Sequence, residues 1–171
     1  SSNSFTTNVC DISLSTIQTN VSCFGGSDGS IDLSVSGGSG SYTYAWDNGS
    51  TSEDLSGLVA GTYSVTVTDS WNCQETITVT ISEPATPFSI AIQSIGSATV
   101  CSGSDVLLSM TTYASTANTY QWNDANGPIA GETSSTYIAS ASGTYSLTVT
   151  NPNGCIATSN DIVVNIITAT A

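Results

Sequence analysis

Five cysteines carry the best-defined chemistry in this 171-residue sequence: Cys10, Cys23, Cys73, Cys101 and Cys155. They lie far apart, and no two of them have the Cys-x-x-Cys spacing of a redox motif or a zinc site. The sequence also lacks any basic residue that could activate a thiolate, which argues against redox catalysis. Long-range cysteines of this kind indicate structural disulfides and therefore an oxidising compartment.

The expected disulfides are Cys23 with Cys73 and Cys101 with Cys155, because each pair brackets one of two similar segments. The members of the two pairs are 50 and 54 positions apart. Closing a loop of that length stabilises a small domain by about 4 kcal/mol in the chain-entropy description. Cys10 is then left over. It is either a free thiol or a covalent link to a neighbouring chain or an upstream module, and the sequence does not separate these interpretations.

Oxygen-bearing side chains cluster in two short segments. In the first, the weak calcium candidates are Asp47, Asn48, Glu53 and Asp54, and the second segment spans residues 123–127. Carboxylate and amide oxygens suit Ca²⁺. Neither segment has EF-hand spacing, however, and Asp-Asn-Gly is first of all a turn sequence. The turn is therefore the preferred interpretation, and the sequence indicates no cofactor besides calcium.

Three aromatic residues, Trp71, Tyr113 and Tyr137, could stack on sugar rings. Such residues more often cover the end of a β-sandwich. A carbohydrate-binding surface module with glycan partners is therefore the alternative function rather than the preferred one. Asp32 alternates with the apolar residues of a predicted strand, so we expect it on the solvent face and not in a pair of catalytic carboxylates.

The charge composition excludes most classes of enzyme. Lys, Arg and His are absent, and thirteen acidic residues give a net charge of −13. Without Lys and His, the chain can form no Ser-His-Asp relay, Schiff base or P-loop. The net charge repels nucleic acid and anionic membrane surfaces, and no apolar run reaches the 18 residues of a membrane span. We therefore expect a protein that is not an enzyme, binds no nucleic acid and inserts in no membrane.

The pattern of side chains predicts strands throughout. Ser and Thr make up 57 of the 171 residues and replace charges on the solvent faces, and Thr also favours strands. Residues 61–68 alternate between apolar and hydroxyl side chains, as a half-buried antiparallel strand does, and residues 143–150 repeat them almost letter for letter. The chain therefore contains an internal repeat with an offset of 82 residues.

The repeat predicts two β-sandwiches. Each copy has the order Cys, Trp, Tyr, Cys, with Trp46 or Trp122 expected in the core between two sheets. The fold class is therefore all-β, with two tandem Ig-like or PKD-like antiparallel β-sandwiches joined by a short linker that contains proline. Residues 1–10 form an N-terminal extension, 11–83 the first sandwich, 84–87 the linker and 88–171 the second sandwich.

Residues 20–83 resemble the SprB-type repeat. The motifs that carry the resemblance are Asn20-Val21-Ser22-Cys23, Gly25-Gly26, Asp28-Gly29-Ser30-Ile31, Gly37-Gly38, Tyr42-Thr43-Tyr44, Trp46, Asp47-Asn48-Gly49, Gly57-Leu58, Gly61-Thr62-Tyr63 and Cys73. Residues 88–168 resemble the bacterial Ig-like modules that accompany such repeats, through Cys101-Ser102-Gly103-Ser104, Tyr120-Gln121-Trp122 and Asn153-Gly154-Cys155. The resemblance implies large secreted surface proteins of gliding and biofilm-forming bacteria, which act as adhesins or filaments.

These observations lead to a functional expectation. We expect a structural subunit or module of an extracellular bacterial filament or adhesin stalk, located at the cell surface. Its partners would be copies of itself, or tandem modules of a longer chain, joined by β-strand and module–module contacts. Residues 1–10 would pair with an exposed sheet edge of a neighbouring module, because an unpaired edge is a template for strand addition.

Overall fold

A computed structural model describes residues 10–111 and 118–168. The chain divides into two compact units, unit 1 from Ser1 to Thr86 and unit 2 from Pro87 to Ala171. Every regular element in the described residues is a β-strand. Across this part of the chain, no helix is long and apolar enough to cross a membrane.

The fifteen strands of the described residues fall into two successive groups. Those of unit 1 are β1 (Ser13–Thr19), β2 (Gly29–Ser36), β3 (Thr43–Trp46), β4 (Leu55–Leu58), β5 (Gly61–Thr68) and β6 (Gln74–Ile81). Those of unit 2 are β7 (Ile92–Ile95), β8 (Thr99–Cys101), β9 (Val106–Met110), β10 (Thr119–Asp124), β11 (Gly127–Pro128), β12 (Thr136–Ala139), β13 (Gly143–Thr150), β14 (Ile156–Thr158) and β15 (Ile162–Ile167).

Unit 1 is a sandwich of two antiparallel sheets with strand orders β1-β2-β4 and β3-β5-β6. The alternation in β5 explains its place: Val65 and Val67 point into the core and are fully buried, while the hydroxyl side chains between them face outward. Trp46 lies in the same core and donates its indole N–H to the carbonyl of Ser52 at 2.8 Å. Burial of this large aromatic therefore leaves its polar atom hydrogen-bonded.

Unit 2 repeats the arrangement with additional strands. One sheet has the order β12-β9-β7, and the other runs β11-β10-β13-β15-β8, with β14 also paired to β13. The pairing of β15 with β8 is parallel, whereas the other strand pairs are antiparallel. The core is centred on Trp122, whose indole N–H donates to the carbonyl of Ser134 at 2.9 Å, as that of Trp46 does in unit 1.

The two units share a tyrosine contact at the start of equivalent strands. The hydroxyl of Tyr63 in β5 donates to the carbonyl of Val59 at 3.0 Å. In β13, Tyr145 donates to the carbonyl of Ala141, also at 3.0 Å. A tyrosine that bonds back to the preceding corner is typical of Ig-like sandwiches. The predicted repeat of two Ig-like sandwiches is therefore confirmed.

The predicted disulfide between Cys23 and Cys73 is wrong. Cys73 pairs with Cys10 instead, with the two Cα atoms 5.4 Å apart. Cys73 directly precedes β6, beside the last residue of β5. Cys23 lies near the other end of β6, because the N–H of nearby Val21 donates to the carbonyl of Ser82, which follows β6. Because β6 has eight residues, these ends are roughly 24 Å apart, far beyond the reach of a disulfide. Cys23 is not a free thiol in this structure.

The predicted disulfide between Cys101 and Cys155 is wrong for the same reason. Cys101 is a free, exposed cysteine opposite Ile167, near the first residue of β13. Cys155 lies beyond the last residue of β13, since Thr150 pairs with Ile156. The length of β13 therefore separates them. Cys155 is buried and is not a free thiol.

Candidate functional site

The site that the disulfide marks is the turn between β5 and β6, residues 69–73. The N–H of Asp69 donates to the carbonyl of Cys73, and the N–H of Asn72 donates to the carbonyl of Asp69, both at 3.0 Å. Asn72 has a φ of 62°, a conformation that asparagine tolerates better than most residues. The turn therefore holds Cys73 in a fixed position, buried against the sandwich.

The carboxylate of Asp69 organises this turn from within. It is buried and accepts backbone N–H bonds from Ser39, Trp71 and Cys73, each at 2.9 Å. Burial by itself raises the pKa of Asp69, but the three N–H donors outweigh it and the pKa lies below its ordinary value. Asp69 is therefore a permanent anion at neutral pH that joins the turn to the loop between β2 and β3.

The same loop also holds the segment that follows Cys10. The N–H of Gly38 donates to the Asp11 carboxylate at 2.8 Å. Gly37 has a φ of +79°, and a Cβ atom on it would lie 2.1 Å from the carbonyl oxygen of Asp11. Only glycine allows this approach. The loop, the turn and the N-terminal segment are therefore packed into one end of unit 1.

The disulfide fixes the position of Cys10 at one end of unit 1. Cys10 is bonded to the 69–73 turn, while the chain leaves β6 through Ser82 at the opposite end, where Ser82 accepts from Val21. The bridge spans a sequence separation of 63. Closing a loop of this size contributes about 4 kcal/mol in the chain-entropy description. Cys10 and Ser82 thus lie at opposite ends of unit 1.

The three aromatic candidates for sugar stacking are not brought together. Trp71 projects from the turn and is 52% exposed. Tyr137 belongs to the core of unit 2, with its ring 5.5 Å from Trp122 and 5.3 Å from Tyr145, and burial raises its pKa. Tyr113 lies outside the described residues. Trp71 is therefore the one exposed aromatic side chain among the described members of this set.

The calcium candidates are occupied by bonds within the fold. Asp47, Asn48 and Asp54 each accept a backbone N–H bond at 2.9–3.1 Å, and Glu53 interacts with a tyrosine hydroxyl. In the second segment, Asp124 accepts the N–H of the residue two positions later at 2.7 Å. Over the ranges 10–111 and 118–168, no three His, Cys, Asp or Glu side chains are grouped as a metal site requires. Asn48 and Asp124 make the short-range bonds of turns, whereas Asp47 and Asp54 accept from residues of β5 and β2.

Asp32 is placed as the alternation predicts. It lies exposed on the outer face of β2, opposite Ile17 of β1. The expected pairing of Cys73 missed Cys10 as its partner. Cys10 shortly precedes β1 and Cys73 directly precedes β6, and only the folded structure brings these two strands into contact.

The geometry of unit 1 can be compared with known families. Residues 15–51 match the family model of the SprB repeat. This match confirms the resemblance over residues 15–51, which include most of β1, all of β2 and β3, and the core position Trp46. The comparison with curated proteins finds no significant match.

Three solved structures illustrate the matches to known structures. The crystal structure of murine CEACAM1b has a TM-score of 0.43 at 15% identity, over 92% of this chain and 100% of that one. The N-terminal four Ig domains of Dscam1 isoform 4.44 match with a TM-score of 0.40 at 14% identity, over 91% of this chain and 46% of that one. The tandem Ig repeats of Dlar match with a TM-score of 0.39 at 12% identity, over 92% of this chain and 98% of that one. The SprB repeat is the family whose sequence model matches this chain.

Proposed function

We propose that this chain is a structural module of an extracellular bacterial filament or adhesin stalk, which joins copies or modules end to end through its N-terminal extension. The observation that carries the proposal is the Cys10–Cys73 disulfide. It anchors the extension at the end of unit 1 opposite to the one where the chain continues. Residues 1–9 would then reach a neighbour from the end of unit 1 at which Cys10 lies.

The length of the extension suits strand addition. Nine residues extend to roughly 30 Å, longer than an eight-residue strand of this sandwich. Its sequence mixes Ser, Thr and Asn with Phe5 and Val9, side chains that suit an added edge strand with one or two apolar anchors. A covalent anchor at Cys10 would pass tension from such a strand into the sandwich rather than into the first turn alone.

The SprB match and the disulfide chemistry support the remaining parts of the proposal. A disulfide of this kind persists in an oxidising environment, which fits the cell surface. The complete absence of Lys, Arg and His leaves no residue for the common catalytic relays, and a load-bearing role requires none. The absence of Lys and Arg also removes the cleavage sites of trypsin-like proteases.

The proposal is tested by electron microscopy of the 171-residue chain beside a variant that lacks residues 1–9 but retains Cys10. The native chain should form fibres, and the shortened chain should remain as single folded molecules with the disulfide intact. A Phe5→Ser variant, which keeps the length of the extension, should form fewer fibres. Equal fibre formation by the native and shortened chains would refute the role of the extension.

A further inference from the structure

The outer face of the sheet β12-β9-β7 in unit 2 carries a row of exposed aliphatic side chains. Ile95 of β7 pairs with Leu107 of β9, which pairs on its other side with Ile138 of β12. Side chains directly opposite one another lie on the same face of a sheet. They are 52%, 39% and 60% exposed, respectively. The three form a continuous row, here called the Ile–Leu–Ile row, that the core of unit 2 does not use.

Unit 1 shows that the fold itself does not require this row. Leu108 in β9 and Leu33 in β2 are equivalent buried core positions. The residue that precedes this core leucine points outward in both units. In unit 2 that residue is Leu107, and in unit 1 it is Asp32. The sandwich therefore accepts a charge at this place, and the aliphatic side chain in unit 2 needs another explanation.

Electrostatics limit what can cover the row. Copies of a chain with a net charge of −13 and no cation repel one another wherever acidic side chains face each other. The outward strand residues beside the row are Gln93, Ser109 and Thr136, which carry no charge. Unit 2 also holds four of the thirteen acidic residues, against nine in unit 1. Two copies can therefore approach through this face without opposing carboxylates on its strands.

We propose that the Ile–Leu–Ile row is a contact surface for a second copy of this chain. A twofold axis places the same surface of both copies in contact, so the row can pair with itself. An axis along the row sets Leu107 against Leu107 of the second copy. It also keeps the two copies of Asp105, the exposed residue before β9, at opposite ends of the contact. An axis parallel to the strands would bring those carboxylates together.

The size of the face sets the strength of the contact. Six side chains on three short strands cover less than the roughly 800 Å² per partner that a stable interface usually buries. The contact is therefore weak between free molecules and becomes effective where copies are already held close, as along a fibre. It does not involve the N-terminal extension, so a chain without residues 1–9 retains it.

Cysteine trapping tests the proposed pairing. Leu107→Cys and, as the matched control, Asp32→Cys are each made in the full chain with Cys101→Ser, which removes the free thiol of the described residues. Oxidised glutathione serves as the disulfide source. The thiolate of one chain first attacks oxidised glutathione, which breaks its S–S bond, forms a chain–glutathione mixed disulfide and releases one reduced glutathione. The thiolate of the second chain then attacks that mixed disulfide, which forms the S–S bond between the two chains and releases a second reduced glutathione. The Leu107→Cys chain should form covalent dimers about tenfold faster than the control, because the contact raises the effective concentration of its thiols. Equal rates would overturn the proposal.

A second measurement needs no introduced thiol. Sedimentation velocity over a concentration series should show weak self-association of the native chain, and Leu107→Asp should lower the association constant at least about tenfold because two buried carboxylates would then face each other. This variant should fold, since unit 1 carries an aspartate at the same place, and its thermal unfolding is measured as the control. Association of Leu107→Asp equal to that of the native chain, or none by the native chain at any concentration, would contradict the proposal.

Discussion

Asp69 shows how one buried acid can organise an end of a sandwich. Its carboxylate accepts three backbone N–H bonds from two different loops. In unit 2 the equivalent residue is Asn151, whose side-chain oxygen accepts the N–H groups of Asn153 and Cys155 at 3.0 and 2.9 Å. The turn therefore needs an oxygen acceptor in both units. In unit 1 the acceptor is charged and also holds the loop that contains Ser39.

The lowered pKa of Asp69 predicts an acid-sensitive unit 1. A depressed folded-state pKa contributes stability that is present above the unfolded pKa and is lost as the pH falls through the folded value. Asp69→Asn should therefore lower the free energy of unfolding of unit 1 at neutral pH and make that free energy depend less on pH in acid. Asp69→Ala should lower the free energy of unfolding at neutral pH further, because three N–H groups lose their partner. Hydrogen exchange of β5 amides against pH measures this, with β13 as the internal control. An unchanged acid profile in Asp69→Asn would contradict the assignment.

At the scale of elements, alternation predicts the strands well. Residues 61–68 and 143–150 were expected as strands, and β5 and β13 have these bounds. Trp46 and Trp122 lie in the predicted cores. The disulfide partners could not be predicted in the same way, because spacing along the chain does not say at which end of a strand a cysteine lies. The parallel pairing of β8 with β15 likewise depends on the tertiary fold, since it links segments more than sixty residues apart.

The loop between β2 and β3 gives a prediction with a control in the same loop. Gly37 and Gly40 have φ angles of +79° and +70°, so alanine at either position costs about 1 kcal/mol of backbone strain. A Cβ on Gly37 also meets the carbonyl oxygen of Asp11, whereas nothing lies within 4 Å of one on Gly40. Gly37→Ala should therefore lower the free energy of unfolding of unit 1 by more than about 2 kcal/mol. Chemical denaturation compares the two, and equal losses would show that the N-terminal segment is not packed there.

At the scale of the whole chain, composition and architecture describe the same kind of protein. A net charge of −13 and a third of the residues as Ser or Thr keep two sandwiches soluble without a basic residue. The sequence predicted the number of sandwiches and the SprB resemblance. It could not locate the exit of the extension, because Cys10 stands outside the repeat and has no counterpart in the other copy to compare with.

The proposed end-to-end role depends on the anchor at Cys10, and peptide mapping under non-reducing conditions shows which cysteine that residue is bonded to. Cleavage of the alkylated full chain before aspartates and after large aromatic residues separates Cys10, Cys23, Cys73 and Cys101 into different peptides. We expect to recover the peptide ending at Cys10 linked to the peptide containing Cys73, with Cys101 alkylated. Recovery of Cys73 linked to Cys23, with Cys10 alkylated, would contradict it.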